Sequence, residues 1–108
     1  MEPNATIHFL KTASATHIFV TVYVMNDVPL YHKQPPFIRI MLDGKTVAMR
    51  SRLPIGDTRI QIVLPAKYRG SKGPYALHIT TSNFVPAEQG INGDTRSLGL
   101  MLKRIETS

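Results

Sequence analysis

Apolar residues recur along this chain with a period of two. Residues 16–25 read T-H-I-F-V-T-V-Y-V-M. An extended backbone points successive side chains to opposite faces, so Ile18, Val20, Val22 and Val24 share one face and Phe19, Thr21, Tyr23 and Met25 the other. β-branched and aromatic side chains fit a pleated, half-buried surface, and two largely apolar faces predict a central strand. No window carries the i, i+3, i+4 spacing of an amphipathic helix. Eight prolines and seven glycines, nearly all between the apolar runs, interrupt any long one.

The same periodicity predicts strands over residues 5–10, 37–42, 45–49, 58–64, 75–81 and 98–105. Ile60 and Ile62 should face inward with Arg59 and Gln61 outward, and Tyr75, Leu77 and Ile79 should oppose Ala76, His78 and Thr80. Asp43-Gly44 between two such runs is a hairpin signal, because a type I′ turn needs positive φ at both central positions. R-G-S-K-G at residues 69–73 reads as a second hairpin loop. About seven short strands with frequent turns predict an all-β fold. The expected architecture is an antiparallel, jelly-roll-like β-sandwich forming one domain over residues 1–108. Connections 26–36 and 82–97 exceed plain turns, and loops of that length are usually functional or packed on themselves.

Several chemistries have no support. The chain contains no cysteine, which removes disulfides, thiolate metal sites and cysteine nucleophiles. His8, His17, His32 and His78 lack zinc-ligand spacing. There is no G-x-S-x-G elbow, and R-G-S-K-G-P lacks the spacing and following helix of a phosphate loop. Glu88 and Asp94 are the only paired carboxylates within one loop, and they read as ordering it. The expectation is a non-enzyme with no catalytic residues, no cofactor and no metal. No apolar run has the length of a membrane helix and no signal peptide is visible, so the chain reads as not membrane-inserted, in the cytoplasm or associated with the cell envelope. Asn4-Ala5-Thr6 is a sequon by pattern, meaningful only in a glycosylating secretory pathway.

The segment from Phe84 to Glu106 should turn twice and then enter a last strand. Pro86 fixes φ after a strand end, and Gly90 and Gly93 permit positive φ. Asp94 can accept hydrogen bonds from turn amides. The Arg96 guanidinium has the fork geometry to pair with Glu88 or Asp94. Pro86, Glu88, Gly90, Asp94, Arg96 and Gly99 thus form a predicted structural clamp, with Gly99 marking a bulge inside the last strand.

Ser82, Phe84, Pro86, Glu88, Gly90, Asp94, Arg96, Leu98 and Gly99 also carry a pattern, F-x-P-x-E-x-G-x-x-x-D-x-R-x-L-G after a strand end. The pattern resembles β-sandwich accessory domains attached to bacterial glycosyltransferases and other proteins of surface-polysaccharide assembly. The resemblance implies a non-catalytic accessory module in a polysaccharide context, with a glycan as ligand and a parent glycosyltransferase or other protein as partner.

Three functional readings follow. A carbohydrate-binding module would use Tyr31 and His32 in the first long connection and Asn83, Glu88, Asn92, Asp94 and Arg96 in the second, with Tyr68 as a further aromatic. A structural or protein-interaction domain would present an edge strand or sheet face, and an exposed patch of Phe19, Tyr23 and Met25 would mark it. A polyanion binder would use Arg39, Arg50, Arg52 and Arg59, with alternation pointing Arg50 and Arg52 the same way. The net charge of +6 permits it. Because the 13 Lys and Arg are dispersed, nucleic acid ranks below a glycan as partner.

Overall fold

The computed structural model describes residues 3–9, 14–70, 73–93 and 99–107. Among them are seven strands: β1 (Asn4–Phe9), β2 (His17–Val24), β3 (Ile38–Leu42), β4 (Lys45–Arg50), β5 (Gly56–Val63), β6 (Tyr75–Thr81) and β7 (Met101–Thr107). They form two antiparallel sheets, β1-β6-β3-β4 and β5-β2-β7. The fold is an all-β sandwich. The chain changes sheet at every connection except the β3–β4 hairpin.

β2 is the central strand that its two-sided apolar pattern predicts. Ile18, Val20, Val22 and Val24 are completely buried, while Phe19, Thr21 and Tyr23 on the outer face are half-buried. Ile60 and Ile62 of β5, Ile38, Ile40 and Leu42 of β3, and Leu77 and Ile79 of β6 close the core from both sheets. The β3–β4 turn is the predicted one: Asp43 lies at φ 48° and Gly44 at φ 86°. A bulge then admits Val47, as pairing steps from Ile40–Ala48 to Met41–Thr46.

Two expectations need correction. Residues 69–73 do not close a hairpin, because β5 pairs with β2 while β6 pairs with β1 and β3 in the opposite sheet. The chain crosses the end of the sandwich through a 3₁₀ turn, Ala66–Tyr68, which drives Tyr68 into the core edge-on to Tyr75, with the Tyr75 hydroxyl donating to the Tyr68 carbonyl. Ser71 and Lys72 lie outside the described residues. Gly99 is buried ahead of β7 rather than inside it. The bulge of β7 falls at Lys103, where pairing with β2 skips from Arg104 to Leu102. The first long connection contains a short helix, α1 (Pro29–Lys33), because proline at the first helical position supplies the required φ and has no amide left unbonded there.

Gly44 and Gly93 provide a contrast. A Cβ would meet nothing at either, but only Gly44 lies at positive φ. Gly44→Ala is expected to cost about 1–2 kcal/mol in urea unfolding, against less than about 0.5 kcal/mol for Gly93→Ala. Equal costs would show that turn geometry does not set the penalty.

Candidate functional site

The two long connections meet at one end of the sandwich. Val28 is buried, and α1 follows it with Tyr31 pointing inward. The Tyr31 ring meets Phe84 of the second connection edge-on, with centroids 5.6 Å apart. The Leu30 amide donates to Gln89 Oε1 at 2.9 Å, tying α1 to the second connection. Phe37 and Ser82 are locked reciprocally: the Phe37 amide donates to Ser82 Oγ at 2.8 Å and the Ser82 amide to the Phe37 carbonyl at 3.1 Å. These ties leave a groove of about 370 Å³ lined by Leu30, Tyr31, Gln34, Pro35, Phe37, Ser82 and Asn83. None of these residues is charged, and the Phe37 side presents the most open aromatic surface, at 41% exposure.

Of the candidate ligand-binding residues, Tyr31 and Asn83 come together in this groove. Tyr31 is only 3% exposed and contributes to the wall rather than an open ring face. His32 is exposed, with its ring Nε2 2.7 Å from the Asn26 carbonyl. Glu88 and Asn92 are exposed on the second connection. Asp94 and Arg96, and with them the predicted ion-pair clamp to Glu88, lie outside the described residues. The described part of that connection is ordered by its backbone: the amides of Glu88 and Gln89 donate to the Val85 carbonyl and that of Ile91 to the buried Pro86 carbonyl, with Gly90 at φ 72°. The chain's return is fixed by Thr81, a buried polar residue whose hydroxyl accepts from the Leu100 amide. Phe37, Gln34 and Gln89 escape a reading by residue type, and Ser82 is marked only by the pattern, because only the crossing of two connections makes them neighbours.

Arg39 and Arg59 of the polyanion reading lie on opposite outer faces. Arg39 lies on the outer face of the four-stranded sheet, donating to Thr46 Oγ1, whereas Arg59 lies on the outer face of the other sheet, with its guanidinium carbon 3.8 Å from the Phe19 centroid. Arg50 ends β4 and Arg52 adopts φ 58° beyond it, so strand alternation does not extend from one to the other. Phe19 and Tyr23 are half-buried beside Arg59 and Lys103, and Met25 packs against the core. The three do not make an open apolar patch. Among the described residues no helix is long and apolar enough to cross a membrane, and no group of three His, Asp or Glu could hold a metal ion.

No family model, no curated protein and no solved structure matches this chain.

The Tyr31 hydroxyl is buried without a hydrogen-bond partner among the described residues. Burial also pushes its pKa up from 10.0 to about 12. Above pH 10 the unfolded chain therefore releases this proton while the folded chain retains it, and the associated stability is lost as pH rises from 10 toward 12. Tyr31→Phe is expected to raise stability by about 1 kcal/mol at neutral pH, by removing an unsatisfied buried hydroxyl. It should also make the alkaline decline shallower in chemical denaturation. An unchanged decline would assign it to other groups.

Proposed function

We propose that this protein is a non-catalytic glycan-binding accessory module, and that its ligand site is the groove between α1 and the β6–β7 connection. One observation carries the reading: an uncharged groove in which a part-exposed phenylalanine ring stands beside the amide-bearing side chains of Gln34 and Asn83 and the hydroxyl of Ser82. A pyranose presents an apolar C–H face and a rim of hydroxyls. The first suits the Phe37 ring, and the second suits amide and hydroxyl groups that both donate and accept. Neutral lining selects a neutral sugar over an acidic one. The resemblance of the 82–99 sequence pattern to domains of polysaccharide-assembly proteins supports the same ligand class and a catalytic partner elsewhere.

A glycan array followed by NMR titration of the bound sugar tests this. Amide shifts should centre on Leu30, Phe37, Ser82 and Asn83. Phe37→Ala should weaken binding about tenfold or more, a loss of roughly 1.4 kcal/mol or above, without lowering thermal stability substantially. A blank array, or a Phe37→Ala variant that binds undiminished, would refute the assignment.

A further inference from the structure

We infer that the outer face of the β5-β2-β7 sheet holds a second ligand site, for an oxyanion, phosphate or carboxylate, carried by a small molecule. This inference is independent of the groove, which has no charged lining residue.

The site is built across three strands. Thr21 of β2 has Arg59 of β5 and Arg104 of β7 as its cross-strand partners. Adjacent strands lie about 4.8 Å apart, so the two arginine backbones stand roughly 10 Å from one another across a small hydroxyl-bearing residue. The resulting trough, about 460 Å³, is lined by Thr21, Asp57, Arg59, Lys103, Arg104 and Glu106. The bulge supplies an extra cation. Regular alternation would send one of two consecutive β7 residues inward, but the skipped pairing at Lys103 leaves both Lys103 and Arg104 exposed.

The cations are partly preorganised. Phe19 is stacked on His17, with centroids 6.0 Å apart and planes 15° apart, and Arg59 covers the same ring at 3.8 Å. A guanidinium held over an aromatic ring keeps its N–H edge for an oxyanion. Among the described residues Arg59 has no carboxylate in ion-pair range, whereas Lys103 pairs with Asp57 at 3.1 Å and Arg104 reaches Glu106 at 4.0 Å. Both pairs are solvent-exposed, with side chains 40% to 64% accessible, and such pairs are weak enough for a competing anion to displace. Three cations against two carboxylates leave a net positive trough with a threonine hydroxyl between its walls.

Titrations followed by ¹H–¹⁵N NMR at constant ionic strength, with inorganic phosphate, glucose 6-phosphate, glucuronate and glucose as probes, test the inference. Saturable shifts at Thr21, Arg59 and Arg104 are expected with at least one anionic probe and none with glucose. Binding by phosphate itself identifies a free oxyanion as sufficient, and binding only by the sugar acids shows that the ring contributes. Arg59→Gln and Arg104→Gln should each weaken binding about tenfold, and Glu106→Gln should tighten it several-fold by removing a competing carboxylate. Both arginines are exposed, so the variants should stay folded, with Arg59→Gln lowering the melting temperature by a few degrees at most through loss of its contact with Phe19. The inference is overturned if no anion gives saturable shifts, if glucose gives the same ones, or if Glu106→Gln weakens binding.

Discussion

The structure depends on β2. Its Ile18, Val20, Val22 and Val24 side chains are wholly excluded from water, and its backbone is bonded on both sides, to β5 and to β7. Each buried aliphatic side chain contributes about 1.5–3 kcal/mol of transfer free energy, so this one strand face supplies a large share of the driving force. It also fixes register. A slip of one residue would expose all four aliphatics and bury Phe19, Thr21 and Tyr23 against the opposing sheet. The trough over Thr21 exists because that slip is forbidden.

The groove follows from topology. A chain that changes sheet at nearly every connection needs longer spans at the ends of the sandwich than one built from hairpins alone. Two of those spans are brought side by side and joined through Leu30–Gln89, Phe37–Ser82 and the Tyr31–Phe84 ring contact. Two of the three ties are hydrogen bonds that end on a backbone amide, so they set the path of the chain itself. A groove walled in this way is preformed, which would lower the ordering cost of binding the proposed glycan.

The strands were legible because one side of each had to be apolar. Alternation in β2, β5 and β6, and the Asp43-Gly44 turn, need no knowledge of distant partners. Residues defined by their distant partners were not legible. Pro29 reads as a breaker until it is seen to start α1. The 69–73 stretch reads as a hairpin loop until β5 and β6 are placed in opposite sheets. Strand periodicity assigns Lys103 and Arg104 to opposite faces, and only a bulge, which has no glycine or proline to announce it here, turns both outward. Tyr31 and Asn83 stand out in the sequence by their place in long loops, and they meet in the groove. Phe37, at the threshold of β3, reads as a strand residue by periodicity and is instead the groove's open aromatic.

α1 and residues 82–93 of the second connection form one fixed wall in the free protein, and amide hydrogen exchange tests this without any ligand. If the wall is fixed, the amides of Leu30, Phe37 and Ser82 in the free protein will exchange far more slowly than an open loop, approaching the protection of β3 and β6. Exchange of those three amides at the rate of an unstructured peptide, while the strands stay protected, would contradict the claim.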